Sequence, residues 1–213
     1  MRVVVAAMAA AFGLSLGSST FAQSTGIDVL KDIHIENFGS VNQSLYRGAQ
    51  PAGSDYRDLA ALGIKTVIDL EESGRSDEQQ RVTAAGMKFY RIQMSDKATP
   101  EPDKVEEFLK IVNNPAEQPV FVHCHGGRHR TGAMVAVYRM THDGWDADRA
   151  YEEMRHYRFT TTFGHQALKR FVDAYYAGLG KAQPKGSGPV SVKGAAAVRT
   201  SAFPVAIVPH WTF

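Results

Sequence analysis

VFVHCHGGRHRTG, the run from Val120 to Gly132, joins three local patterns. Pro119 to His123 (PVFVH) is β-branched and almost continuously apolar, the mark of a strand buried in a parallel sheet. Gly132 to Met140 (GAMVAVYRM) is apolar nearly all round, as a helix in the middle of a fold must be. Between them Cys124 is followed by five residues, including Gly126 and Gly127, and then by Arg130 and Thr131. A loop between a strand and a helix N-terminus can turn successive N–H groups inward and cradle a tetrahedral dianion. Glycines permit the backbone conformations this needs. The helix dipole and Arg130 add positive charge, and the same field favours the thiolate form of Cys124. The planar fork of Arg130 can hold two phosphate oxygens, which a lysine cannot do. Thr131 is expected to donate its hydroxyl to the thiolate.

Outward from this run, short apolar segments alternate with amphipathic ones from Ile33 to about Ala177. The pattern predicts an α/β domain: a central, largely parallel sheet of four to five strands flanked by helices. Lys65 to Leu70 (KTVIDL) is a second buried strand, with weaker strand signals at Ile35 to Phe38, Leu45 to Arg47 and Lys88 to Ile92. Helices are expected at Ser54 to Leu62, Asp77 to Ala85, Asp103 to Asn113, Thr131 to Thr141, Asp146 to His156 and Phe163 to Tyr176. In the third of these, Val105, Phe108, Leu109 and Val112 form one face, and acidic residues crowd the start, where the dipole favours them.

The whole chain of 213 residues carries a formal net charge of +2, but the positive charge is not in the body. Residues 23 to 180 hold 19 Lys/Arg against all 22 Asp/Glu, whereas Lys181, Lys185, Lys193 and Arg199 lie beyond them. A slightly acidic body excludes nucleic acid as a partner suggested by charge. Residues 1 to 22 read as a secretory signal: Arg2, an uncharged apolar run from Val3 to Leu16, and small residues ending at Ala22. The run falls short of the ~20 apolar residues of a spanning helix, so export to the periplasm or medium is expected, without a stable membrane span. Cys124 is the single cysteine, which rules out a disulfide within the chain and points to a chemical role for the thiol in an oxidising compartment. Residues 181 to 213 are rich in Gly, Pro, Ala, Ser and Val with no acidic residue, the composition of a low-complexity, disordered tail.

HCHGGRHRTG resembles the H-C-x5-R-[S/T]-G loop of protein-tyrosine and dual-specificity phosphatases. Upstream, NFGSVNQSLYRGAQP (Asn37 to Pro51), followed by LGIKTVIDL, is similar to the opening of bacterial, plant and fungal atypical dual-specificity phosphatases. The resemblance covers about residues 33 to 177. It implies phosphomonoester hydrolysis through a phosphocysteine intermediate, with neither metal nor organic cofactor. Cys124 is then the nucleophile and Arg130 the phosphate-binding catalytic residue, while His125, Gly126, Gly127, Arg128, His129 and Thr131 line the substrate and His123 orients the loop. The family also uses an acid that protonates the leaving oxygen, some thirty residues before the Cys. Asp96, in QMSDKATP, is the candidate; no Trp-Pro-Asp triplet marks it. Glu101 and Asp103 compete, although each is accounted for by the first turn of a helix.

Rival readings remain. His123, Cys124, His125 and His129 cluster as zinc ligands do, but neighbours on a strand point to opposite faces and no second Cys/His group completes a tetrahedral set. Arsenate reductases recruit further cysteines, and sulfur transfer does not favour an Arg-Thr-Gly ending. A non-catalytic phosphate-binding module is the alternative from another class. Arg47 and Gln50 border the site or pair elsewhere, Asp69 reads as a strand-end cap, and His165 and Gln166 either reach the site or face solvent. The substrates expected are phosphorylated proteins, or inositol phosphates and phosphoinositides. His125, Arg128 and His129 favour the densely anionic ones, unless His125 and Arg128 face away towards acidic neighbours such as Glu71 or Glu72. The oligomeric state is left open.

Overall fold

The structure, a computed structural model, describes residues 33–182. The leader at 1–22 and all but the first two residues of the tail at 181–213 lie outside the described residues. Five strands form one sheet in the order β1-β2-β5-β3-β4: β1 Gly39–Ser40, β2 Leu45–Ala49, β3 Thr66–Glu71, β4 Lys88–Met94 and β5 Val120–Cys124. All neighbours pair in parallel except the short edge strand β1, which runs antiparallel to β2. Among the described residues six α-helices pack around it: α1 Asp55–Ala61, α2 Glu78–Ala84, α3 Pro102–Val112, α4 Arg130–His142, α5 Ala147–His156 and α6 Gln166–Ala182. The α/β architecture inferred from the alternation of patterns is therefore the one observed.

Successive side chains of a strand point to opposite faces, and β5 shows the consequence for function. Val120, Val122 and Cys124 join the larger core beneath α3, α4 and α6, together with Ile68 and Leu70 of β3. Phe121 packs in the smaller core with Val67, Leu59 of α1 and Val82 of α2. His123 therefore projects away from the Cys124 face. Helix α4 buries nearly every residue from Thr131 to Met140, as its uniformly apolar sequence requires. On α3 the predicted face of Val105, Phe108, Leu109 and Val112 is buried.

Two local expectations need correction. Ile35 to Phe38 is a turn, not a strand: Asn37 sits at φ 53 and the Phe38 N–H donates to the Ile35 carbonyl at 3.2 Å. Asn tolerates that left-handed conformation. The apolar residues that suggested a strand anchor the turn instead, Ile35 in the smaller core and Phe38 stacked on Tyr46 and Phe121. The last helix begins at Gln166, because Thr162–Gly164 is a short 3-10 turn with Phe163 at φ 59 and Gly164 at φ 95.

β2 and β4 run two residues past their predicted ends. Their C-termini, Ala49 and Met94, thereby reach the level of Cys124 and Glu71, so four parallel strands end along one rim. Ligands of open parallel sheets bind at such a rim.

Candidate active site

At the end of β5 the chain turns through 125–129 into α4, and its carbonyls are tied down from outside. The Gln50 N–H donates to the His125 carbonyl at 3.2 Å, Asn37 Nδ2 to the Gly126 carbonyl at 2.7 Å, and Arg47 Nη2 to the Gly127 carbonyl at 2.8 Å. A planar trans peptide points its N–H opposite to its C=O, so three carbonyls held outward turn the next three N–H groups inward. Of these, Gly127 N–H also makes a long turn contact of 3.4 Å to the Cys124 carbonyl. The first N–H groups of α4 have no acceptor within the helix and add to the cradle. Gly127 is at φ 64, and a Cβ there would lie 2.5 Å from the carbonyl carbon and oxygen of Gly48. Only glycine lets the loop rest directly on the β2 backbone.

Cys124 lies at the base of this loop, 3% exposed. Arg130 stands on the rim: Nη1 donates to the Met94 carbonyl at 3.2 Å, and Nη2 is 3.9 Å from Glu71 Oε2. Its Nε is buried without a partner among the described residues, a donor left for an anion in the loop. Thr131 is buried, and its hydroxyl has no hydrogen-bond partner among the described residues, so the expected bond to the thiol is not made.

Behind the loop, on the face opposite Cys124, lies a buried polar network. His123 Nε2 is 3.0 Å from Glu78 Oε1, a contact not aligned as a good hydrogen bond, and Nδ1 is 4.0 Å from Asp69 Oδ1. Gln50 Nε2 and Tyr56 Oη donate to Glu78 Oε1 at 2.7 and 3.3 Å. Burial pushes the Glu78 carboxyl up, but His123, Gln50 and Arg91 outweigh it and hold the group below its usual range. Asp69, Glu78 and His123 are the donor set among the described residues that could chelate a metal. Arg91 already supplies the cation there: Nε donates to Asp69 Oδ2 at 2.7 Å, and Nη2 is 3.7 Å from Glu78 Oε2. The residues do not fit a metal centre. Nor do His123, Cys124, His125 and His129 converge, since His123 faces away and His129 is stacked elsewhere. Asp69 also caps the strand end, as expected, by accepting from the Glu71 N–H at 2.8 Å.

The segment after β4 closes the other side. Asp96 is half-buried, and its carbonyl accepts a hydrogen bond from His165 Nδ1 at 2.9 Å. His165 in turn stacks on His129 with ring centroids 3.6 Å apart, so one imidazole joins the Asp96 segment to the anion loop. Burial, reinforced by His165, pushes His129 down to about 4, while the Asp96 charge opposes the shift. His129 is therefore neutral at neutral pH. Glu101 is the N-cap residue of α3 and Asp103 lies in its first turn, both exposed, which is what their structural reading requires.

Two of the cationic groups inferred for the loop, Arg128 and His129, are engaged otherwise. Arg128 turns to Glu36 at 2.5 Å, a carboxylate it shares with Arg158 at 3.0 Å, rather than to Glu71 or Glu72. His125 is exposed. Cys124, Arg130, the glycines and the Asp96 segment are thus brought together, while Arg128 is engaged outside the loop and His129 carries no charge. The sequence did not single out Asn37 or Glu78, and left Arg47, Gln50 and His165 undecided. All but His165 and Glu78 lie in the Asn37–Pro51 stretch, where the resemblance was a usable signal.

The family described as "DSP-PTPase phosphatase fused to NAD+ Kinase" matches residues 30–172. Inositol diphosphatase SIW14 of Saccharomyces cerevisiae is 29% identical over 147 residues, covering 66% of this chain and 51% of its own length. Dual specificity protein phosphatase TpbA of Pseudomonas aeruginosa is 28% identical over 142 residues, covering 67% of this chain and 62% of its own. The SIW14 catalytic core in complex with citrate superimposes with a TM-score of 0.59 at 26% identity, over 66% of this chain and 86% of that one. TpbA in complex with pTyr gives 0.59 at 26% identity, over 70% and 91%. With the Cys124–Arg130 loop inside the matched residues, the chain belongs to this DSP-PTPase phosphatase family.

Proposed function

We propose that the protein hydrolyses phosphate esters through a phosphocysteine intermediate. The outward-tied carbonyls of residues 125–127 support this best, because they create an anion cradle directly over a buried thiol. Cys124 Sγ attacks phosphorus as the bond to the leaving oxygen breaks, and the Asp96 carboxylic acid gives that oxygen its proton. Arg130 and the loop N–H groups hold the charge on the equatorial oxygens. Water then attacks the phosphocysteine, Asp96 takes its proton, and the thiolate departs with inorganic phosphate released. Turnover of p-nitrophenyl phosphate, absent in Cys124→Ser, is the test; phosphate binding without turnover in the wild type would point to a non-catalytic module.

For the substrate we favour inositol phosphates carrying dense charge. Two findings bear on it in opposite directions: a relative is named an inositol diphosphatase, whereas Arg128 and His129 do not supply the charge once expected of them. Phosphotyrosine is the second reading, favoured by the likeness to TpbA in complex with pTyr. Export remains our reading of residues 1 to 22; the mature protein recovered from cells then begins at Gln23.

A further inference from the structure

Arg47 is wholly buried, 0% exposed, which is rare for an arginine without a carboxylate bound to it. It sits in β2 at the register of Val122, two residues before the Ala49–Cys124 pair that marks the loop's start. Its guanidinium lies over the Tyr157 ring at 3.8 Å and donates through Nη2 to the Gly127 carbonyl, while Nε and Nη1 are buried with no partner among the described residues. Neither hydrogen bonding within the protein nor a salt bridge accounts for its charge. The groups that face it are Glu153 of α5, Tyr157 just after that helix, Cys124 of β5 and Arg139 of α4. Arg139 is bound to Glu153 at 2.6 Å and to Asp143 at 2.7 Å, so Glu153 is already shared.

Burial pushes Arg47 down to about 10, with Glu153 first and then Tyr157 and Cys124 holding it up. It stays charged throughout the neutral range. In the β2–β5 register Arg47 pairs with Val122, so it stands on the same face of the sheet as Val122 and Cys124, and a cation there without a carboxylate of its own is placed to favour that thiol when it ionises.

Resting on the phosphatase reading above, we propose that Arg47 is a positioning residue for the reaction: a permanent buried cation that favours the Cys124 thiolate from below and turns the Gly127 peptide so that its following N–H faces the phosphate. Arg130 meets the substrate from the rim; Arg47 never touches it. The two cations thus act on opposite sides of the loop, one on the phosphate and one on the nucleophile and its frame.

The experiment compares wild type, Arg47→Met and Arg47→Lys for iodoacetamide alkylation of Cys124 at pH 6 and pH 9, and for protection by inorganic phosphate. Met fills the space without charge, and a lysine there is still protonated at pH 6. Arg47→Met is expected to slow alkylation roughly tenfold at pH 6 and to match wild type at pH 9, the effect of losing one nearby opposite charge. Arg47→Lys is expected to keep the pH 6 rate, yet to need roughly tenfold more phosphate for protection, because Lys Nζ ends one bond short of the Nη2 that holds the Gly127 carbonyl. An unchanged pH 6 rate in Arg47→Met, or an equal loss in both variants, would overturn the proposal. If circular dichroism shows Arg47→Met unfolded, Arg47→Lys decides alone: a slowed pH 6 rate or unweakened protection overturns it. A wild-type Cys124 that is itself slow at pH 6 and turns over no substrate would instead sink the phosphatase reading, independently of Arg47.

Discussion

Asp96 and His129 show how neighbouring groups divide tasks at one site. Asp96 follows β4 closely, and its own carbonyl is gripped by His165, which holds the segment against the loop. Asp96→Asn is expected to lower kcat by ~10² to 10⁴ on substrates with poor leaving groups, and less on p-nitrophenyl phosphate, whose leaving oxygen needs little protonation. Glu101→Gln and Asp103→Asn should leave both rates near wild type; steady-state kinetics on the two substrate types decide it. His129 contributes stability with a definite pH dependence. Its folded value of about 4 lies below the ordinary imidazole value of about 6.5, so between these limits the unfolded chain binds the extra proton. Stability from this group is complete above about pH 6.5 and is lost as pH falls towards 4. Thermal melts across that range should flatten in His129→Gln if no other group dominates there, and a slope unchanged by the substitution would remove His129 as its source.

Among the elements, β2 and the turn before it matter most to the loop they do not contain. Asn37, Arg47 and Gln50 each hold a different carbonyl of it, and Gly48 leaves room for Gly127 to sit on the strand. Gly127→Ala should destabilise the protein by about 1–3 kcal/mol, from a positive φ and a backbone clash together, and should weaken phosphate binding. Differential scanning calorimetry and phosphate titration read the two effects separately. The strand–loop–helix around Cys124 was legible in sequence because its signals are local: apolar runs, glycines and a fixed Cys-to-Arg spacing. The roles of Asn37 and Arg47 were not: Arg47 is placed by the parallel pairing of β2 with β5 and Asn37 by the turn ahead of β1, and no local pattern encodes either contact with the loop. Ile35 to Phe38 misled for the same reason: apolar residues that plug a core look alike in a turn and in a strand. His165 lies more than thirty residues from the loop it touches and meets it only through tertiary packing.

At the scale of the whole molecule, the sheet gathers four strand ends, one helix N-terminus and the segment after β4 at a single rim, on a body of slightly acidic charge. Attraction of an anionic substrate must then come from local groups and not from a protein-wide field. A preference for inositol phosphates over phosphotyrosine peptides should therefore weaken little between low and moderate salt, as kcat/KM for both classes can show. A tenfold preference for phosphotyrosine peptides would reverse the substrate assignment and leave the chemistry standing. The chemistry itself is met by trapping the intermediate: Asp96→Asn protein, mixed with p-nitrophenyl phosphate, acid-quenched within milliseconds and digested for mass spectrometry. One phosphoryl group should be found on the peptide containing Cys124, and none in Cys124→Ser. Turnover with Cys124 unmodified at every time point, or persisting in Cys124→Ser, would show that the thiol is not the nucleophile.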